Sequence, residues 1–269
     1  MSAAAKLLSP ALVLLAVFFA APLVSVFALS FVPTRASDVA GLAAYTKILT
    51  DPFYLKVLFN TVMFGLGVAA LAIVIGYPVA AFLTRAKGRE RAIVLFLIIA
   101  PLMISMVVRA YGWQLILGNR GMLNTFIMSL GFRPIRMIYN WFSLTVSTLN
   151  VLLPFAVLSM TGVLGRLDRS VQESAATLGA SPWVVFTRIT LPLIKNGVAT
   201  AGILVFLLAL GTFVTVLMLG GPGTMVASLL MYQQVNMTYD YSFASALAVT
   251  MMGIALAMLW IQHRFFRSV

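Results

Sequence analysis

The sequence predicts an all-α, polytopic membrane protein with six transmembrane helices. Of the 269 residues, 62% are hydrophobic and only 9% are charged, a balance that soluble domains of this size do not have. Apolar runs long enough to cross a bilayer also recur along the chain, separated by shorter polar segments. Because the chain is too short for a second large soluble domain, residues 1–269 are expected to form a single transmembrane domain.

Each predicted span rests on one apolar run. The first run could instead be a signal peptide, since Lys6 precedes it and Ala20-Ala21 supplies small residues, but it is too long for an ordinary signal-peptide core. In the third run, Pro101 predicts a kink. The six runs are Leu7–Phe31, Leu58–Leu83, Ala92–Ala110, Phe142–Val163, Gly197–Leu219 and Tyr241–Ile261.

The connecting segments carry weaker signals. The polar segment Val32–Lys56 is expected to hold a short helix around Ala43–Leu49. In the loop after the third span, Met122–Leu130 reads as an amphipathic helix. Residues 220–223 form a Gly-Gly-Pro-Gly turn, and Thr224–Tyr239 is a loop with room for a helix.

Basic residues predict the orientation of the chain. The net charge of +12 is attributed to anchoring of membrane helices. Contact with membrane lipid is therefore expected, and a nucleic-acid partner is not. The basic loop from Arg85 to Arg91 could bind phosphate, but a cytoplasmic loop is the favoured interpretation. Basic residues concentrate on the shorter loops of one side, which predicts a multi-pass inner-membrane protein with both termini cytoplasmic.

The stretch Ser170–Pro192 has helical punctuation of its own. Ser170 and Glu173 have capping-box spacing, so a helix is expected to begin there. Gly179 suits the left-handed turn that ends such a helix. Ser181-Pro182 then predicts a second helix start, and Leu191-Pro192 is expected to break that second helix. The prediction is two short helices joined by a tight turn at the membrane surface.

This stretch resembles the EAA loop of the membrane subunits of bacterial ABC importers, whose pattern is EAA-x3-G-x9-I-x-LP. The only departure is a serine at the second position of the pattern. Without the resemblance, the stretch reads as a capped interfacial helix that merely turns the chain. The residues at the positions of the pattern are Glu173, Ser174, Ala175, Gly179, Ile189, Leu191 and Pro192.

The resemblance implies a type I ABC importer permease fold, with a cytoplasmic coupling loop at residues 166–195. It implies two ABC ATPase subunits that bind ATP and Mg, a second homologous permease and a periplasmic solute-binding protein. The chain has no Walker A sequence and no cofactor of its own is expected, so it is expected not to be an enzyme. The residues assigned to coupling are Glu173, Ser174, Ala175, Gly179, Trp183, Phe186, Leu191 and Pro192.

Two of these assignments have alternatives. Glu173 could cap its own helix or pair with an arginine of the ATPase, as the resemblance implies. Trp183, Val184 and Phe186 are large enough to fill a groove of the partner, but they could equally pack on this subunit's own helices.

Other stretches resemble the permease subunits of spermidine/putrescine importers, among them Val108–Trp113, Leu117–Gly121, Leu219–Pro222 and Tyr241–Leu247. Importers of amino-acid derivatives, opines or oxyanions share the fold and remain alternatives. The six carboxylates fall in loops or at span ends, which argues against an ion-coupled carrier. Metal sites are not expected, because the chain has no cysteine and one histidine.

The candidate translocation path consists of polar and aromatic residues in or near the spans. The aromatic faces could bind an ammonium group through cation–π contacts, although each could instead anchor the interface. The amides and the hydroxyl could instead bond neighbouring helices. The candidates are Asn60, Tyr77, Tyr111, Trp113, Thr148, Asn150 and Tyr241.

Overall fold

The computed structural model describes residue 10 and residues 13–33 and 42–266. Within these ranges the chain is helical and contains no strand, as predicted. In the described part of the chain, four helices are long and apolar enough to cross a membrane. A sharply bent helix pair adds a fifth span if it is counted as one, and a shorter apolar helix precedes them. This inventory is compatible with six spans.

The helices are numbered here in chain order. Residues 7–9, 11 and 12 of the first predicted span lie outside the described residues, as do Lys6, Arg35, Asp38 and Arg267. The helices are α1 (Val13–Leu29), α2 (Ala43–Thr50), α3 (Pro52–Arg85), α4 (Gly88–Ile99), α5 (Met106–Leu117), α6 (Met122–Ser129), α7 (Trp141–Leu164), α8 (Arg169–Thr177), α9 (Pro182–Leu210), α10 (Val214–Leu219), α11 (Ala227–Asn236) and α12 (Tyr241–Phe266).

The described residues within 1–59 and 227–255 form one of two compact units. The short helix predicted around Ala43–Leu49 is present as α2, whose Ile48 is fully buried. The Lys47 ammonium lies 5.7 Å from the ring of Tyr54 and 5.5 Å from that of Phe243. Those two rings are themselves 5.0 Å apart, so a cation–π contact joins α2, α3 and α12.

Helix α1 lies outside the buried core. Every described residue from 13 to 29 is exposed, and the rings of Phe18 and Phe19 are 75% and 65% exposed. In water such a surface would be unstable, whereas in a bilayer lipid tails can cover it.

The described residues within 60–226 and 256–269 form the second unit. Helix α7 starts at a reciprocal capping box, in which the Asn140 side chain accepts from the backbone N–H of Ser143. Its predicted bounds are confirmed to within a residue at each end. Helix α7 packs on α9, and Ala156, Val157 and Ala201 are fully buried.

The third predicted span, Ala92–Ala110, is broken rather than kinked. Helix α4 gives way at Ala100–Met103 to a 3-10 turn that includes Pro101, and α5 starts at Met106. The pair Gly88–Met103 and Met106–Ser129 is bent by 103°. The Arg109 guanidinium donates to the carbonyl of Pro101 at 2.7 Å, and the backbone N–H of Ile104 donates to the same carbonyl at 3.3 Å.

The fifth predicted span, Gly197–Leu219, is also displaced. Helix α9 begins far earlier, at Pro182, and ends at Leu210 with Gly211 as its C-cap. Helix α10 follows as a separate element. The apolar run continues through this break, so hydropathy alone could not show where the helix ends.

We expect Gly197→Ala to destabilise the α7–α9 contact. A Cβ at Gly197 would overlap the branched side chain of Val163, whose own Cβ would lie 2.8 Å away. Overpacking of this kind costs about 1–3 kcal/mol, so the thermal unfolding temperature in detergent should fall.

Gly67→Ala in α3 is the matched control, because a Cβ there meets nothing within 4 Å. It should leave the unfolding temperature unchanged or raise it, since alanine favours a helix over glycine by about 1 kcal/mol. Equal unfolding temperatures for the two variants would contradict the tight contact.

Candidate functional site

The coupling segment, residues 166–195, begins with a helix start that differs from the prediction. Helix α8 starts at Arg169, and the carboxylate of Asp168 accepts from the backbone N–H of Ser170 at 2.9 Å. The predicted capping box of Ser170 and Glu173 is therefore wrong as the helix start. Asp168 serves as N-cap instead, since aspartate is as good a cap as serine.

This capping contact lowers the pKa of Asp168. The cause is hydrogen bonding, first from the backbone N–H of Ser170 and then from its side chain. Because the folded pKa lies below the unfolded one, the carboxylate stabilises α8 above its unfolded pKa. That contribution is lost as the pH falls through the folded value.

The turn between α8 and α9 follows the prediction. Gly179 has φ +84°, a left-handed conformation that glycine adopts without steric cost. The backbone N–H of Ala180 donates to the carbonyl of Ala175 at 3.1 Å. Ser181 then caps α9, its hydroxyl accepting from the N–H of Val184 at 3.4 Å, with Pro182 in the first turn.

The predicted break at Leu191-Pro192 is wrong. The chain passes through a π-helical turn at Val185–Thr190 and continues as a helix to Leu210. Within that turn, the Thr190 hydroxyl donates to the carbonyl of Val185 at 3.3 Å. This wider turn comes just before Pro192. It replaces regular α-helical hydrogen bonds at the place where the proline ring would otherwise disrupt them.

A groove of about 490 Å³ separates the coupling segment from the end of α3. On the α3 side, the ring of Tyr77 lies 5.0 Å from that of Phe186. Phe186 in turn lies 5.7 Å from Trp183. The lining residues include Tyr77, Ala81, Thr84, Arg85, Glu173 and Phe186.

Phe186 and Trp183 of the coupling segment lie in different environments. Phe186 is half-buried against this subunit's own Tyr77, whereas Trp183 is 71% exposed. Leu178, at the end of α8, is 89% exposed. Glu173 and Ser174 are exposed and Ala175 is half-buried. One face of the segment thus packs on this subunit's own helices. Leu178 and Trp183 form an exposed apolar rim.

Within residues 60–226, the predicted path residues do not gather at one place. Tyr77 lines the groove beside the coupling segment, Trp113 packs against a buried cluster that includes Leu117 and Leu219, and Tyr111 and Tyr241 are exposed. Their assignment to a path stays a prediction.

The two polar path candidates on α7 lie inside the packing of that helix. Thr148 is fully buried, and within the described ranges its hydroxyl has no hydrogen-bond partner. Asn150 is half-buried.

Asn60 lies in a second cavity, of about 300 Å³, between α3 and α7. Its amide donates to the carbonyl of Met225 at 3.5 Å, and the rings of Phe64 and Trp141 are 5.8 Å apart beside it. Sequence reasoning missed Phe64, Trp141 and Thr145, since nothing local shows which faces of two helices meet. In the described ranges, no three His, Cys, Asp or Glu residues cluster as metal ligands would.

Comparison with known proteins identifies the family. Residues 72–269, which include the coupling segment, match the family model of the binding-protein-dependent transport system inner membrane component. The chain belongs to this family. It is therefore the permease subunit of an ABC importer, a multi-pass inner-membrane protein whose ATPase is a separate subunit.

Curated relatives of this permease include several polyamine transport proteins. It is 33% identical over 222 residues to the spermidine/putrescine transport system permease protein PotB of Escherichia coli, covering 80% of each chain. The Haemophilus influenzae PotB is 27% identical over 253 residues, covering 92% of this permease and 88% of the relative. A chloroplastic sulfate permease 2 of Chlamydomonas reinhardtii is 30% identical over 226 residues, covering 83% and 60%.

Solved structures show the same fold. A chain of the bacterial alginate ABC transporter, in complex with its alginate pentasaccharide-bound periplasmic protein, superposes with a TM-score of 0.77 at 20% identity, covering 97% of this permease and 93% of that chain. A chain of the inward-facing MetNI methionine transporter gives 0.62 at 14% identity, covering 81% and 98%. Both likenesses support the predicted type I importer permease fold.

We expect Asp168→Ala to fray α8 while leaving the spans intact. The first-turn amides of α8 should exchange hydrogen faster, because the Ser170 N–H loses its acceptor. Hydrogen exchange of peptides covering residues 167–180 measures this. Asp168→Asn keeps an acceptor and should exchange like the wild type near neutral pH. Unchanged exchange in Asp168→Ala would contradict the capping role.

Proposed function

We propose that this permease imports a polyamine-type solute with energy that partner ATPases deliver through the coupling segment. The proposed assembly has a second homologous permease, two ATPase subunits that hold ATP and Mg, and a periplasmic solute-binding protein. The observation that carries the proposal is the division of the coupling segment into a face on its own helices and an exposed rim at Leu178 and Trp183.

The exposed rim suits a protein partner. A tryptophan and a leucine that remain in the open are costly in water, and tryptophan is the residue most enriched among those that dominate binding energy. The Asp168 cap, the Gly179 turn and the Ser181 cap define the two helix starts and the turn of the segment that carries them. A rigid helix pair can bear a load that a mobile loop would absorb.

The charges of the coupling segment support docking on a cytoplasmic partner. Glu173 is exposed, and its carboxylate is proposed to meet an arginine of the ATPase. Arg166, Arg188 and Lys195 lie in the same segment, as expected for a cytoplasmic position. Both termini are then cytoplasmic as well.

The polyamine assignment rests on relatives and on the aromatic residues of the spans. The carboxylates of the described residues lie before or near helix ends, so within those ranges no acidic side chain sits in mid-span. A polyamine would then be met by aromatic faces, such as the Phe64 and Trp141 pair beside Asn60. Most of the selectivity is assigned to the solute-binding protein.

An oxyanion is the second candidate solute. One relative is named a sulfate permease, and this chain carries a net charge of +12. The positive charge is equally accounted for by membrane anchoring, so the polyamine proposal has the stronger support.

We expect Leu178→Asp and Trp183→Ala each to weaken docking of the ATPase by about tenfold or more, since loss of a dominant interface residue costs about 2 kcal/mol. The amount of ATPase that co-purifies with the permease pair from detergent measures this. Gly179→Val should act in the same direction, because valine is strained at φ +84°.

Phe132→Asp is the control, since Phe132 is an exposed aromatic between α6 and α7, outside the coupling segment. It should leave co-purification unchanged. If the rim variants retained the ATPase as well as Phe132→Asp does, the rim would not be the docking surface.

We expect the solute-binding protein encoded with this permease to bind spermidine or putrescine with a dissociation constant in the micromolar range or below. Thermal shift and calorimetry of that protein, with sulfate as the comparison solute, measure this. Binding of sulfate and of neither amine would overturn the polyamine assignment and leave the permease role intact.

A further inference from the structure

An aromatic contact lies where the coupling segment meets the membrane helices. The ring of Tyr77 in α3 is 5.0 Å from that of Phe186 in α9, and the two planes are inclined by 55°. Phe186 also touches Trp183, at 5.7 Å between ring centres. A continuous line of rings therefore runs from the exposed rim of the coupling segment to α3.

The residue after Tyr77 is a proline within the helix. Pro78 lies in the interior of α3, where it has no N–H to donate to the carbonyl of Val74. A helix that lacks one backbone bond, and that carries a proline ring against the preceding turn, bends most easily there. The contact with Phe186 is thus adjacent to the point where α3 resists bending least.

Helix α3 is held firmly on the other side of this point. A Cβ at Gly76 would come within 2.9 Å of the Met160 side chain and 3.3 Å of the Val157 side chain, so α3 and α7 are in close contact there. Further along α3, a Cβ at Gly65 would come within 2.9 Å of the Phe206 ring. A force on Tyr77 therefore meets a fixed helix before Pro78.

Space for movement exists beyond Pro78. The groove of about 490 Å³ is lined from α3 by Tyr77 and by Ala81, Thr84 and Arg85, which follow the proline. The opposite wall includes Phe186 and Thr190 of the π-helical turn. Ala81, Thr84 and Arg85 therefore have open space in front of them, while Ala80 and Leu83 of the same segment are fully buried.

We propose that Tyr77 is a positioning residue that receives the motion of the coupling segment from Phe186 and converts it into a bend of α3 at Pro78. The inference rests on the proposed function, because it needs an ATPase that moves the segment.

The test uses the complete importer in proteoliposomes, with spermidine as the transported probe. Tyr77→Leu removes the ring and keeps an apolar side chain, whereas Tyr77→Phe keeps the ring. Phe59→Leu is the matched control, because Phe59 is an exposed aromatic of α3 that does not line the groove. The measured quantities are ATPase co-purification, ATP hydrolysis stimulated by the binding protein, and spermidine taken up per ATP hydrolysed.

Tyr77→Leu should retain the ATPase and keep its hydrolysis within about twofold, but should lower uptake per ATP by about fivefold or more, since the contact is one link of a coupled system. Tyr77→Phe and Phe59→Leu should behave like the wild type. Tyr77→Leu combined with Phe186→Leu should be no worse than either change alone. Wild-type uptake per ATP in Tyr77→Leu, or losses that add in the double variant, would overturn the inference.

A second measurement needs no transported solute. The chain contains no cysteine, so Phe82→Cys, an exposed site beyond Pro78, can carry a single environment-sensitive fluorophore. ATP with vanadate should shift its emission, and Tyr77→Leu should abolish that shift while the ATPase stays bound. A shift that persists in Tyr77→Leu counts against the inference. Failure of any ATPase to bind the wild type would instead contradict the proposed function.

Discussion

Every interruption of a helix in this chain must supply hydrogen bonds to the backbone groups that it releases, because lipid supplies none. The structure meets this constraint with polar side chains placed at the breaks. Arg109 donates to the carbonyl of Pro101 in the 3-10 turn that follows α4, and Gln114 donates to the carbonyl of Met218 in the last turn of α10 at 2.7 Å. Asn124 donates to two loop carbonyls and accepts from the N–H of Ile135. These polar residues are therefore structural requirements of a broken span rather than evidence of a binding site.

Sequence reasoning was most successful for turns and helix starts, which depend on a few neighbouring residues. Gly179 and the pair Ser181-Pro182 were placed correctly, because a left-handed turn and a helix start are settled by the few residues around them. The same reasoning chose Ser170 as a cap when Asp168 was the better-placed acceptor. For α3 it set the start at Leu58, although Asp51 and a following proline form an ordinary helix start.

Long-range packing accounts for the remaining differences. Pro192 would break the helix only if the turn before it were an ordinary α-helical turn. The π-helical turn that accommodates Pro192 cannot be recognised from the amino-acid composition. The meeting of Tyr77 with Phe186 joins residues distant in sequence. Periodicity could not show it, and Tyr77 was assigned to the path on its chemistry alone. The candidate coupling residues were found from spacing, whereas their division into an inner face and an open rim needed the fold.

Helix α1 differs from the other apolar helices in that every one of its residues from 13 to 29 is exposed. In the membrane its side chains must then contact lipid or neighbouring subunits. Packing in this subunit's own core places few restrictions on which apolar residues they are. Sequence drift should be fastest in such a helix. Another apolar helix of similar length could replace α1 without changing the packing of the remaining helices. The contacts of the permease with lipid or neighbouring subunits could then change while its core stays the same.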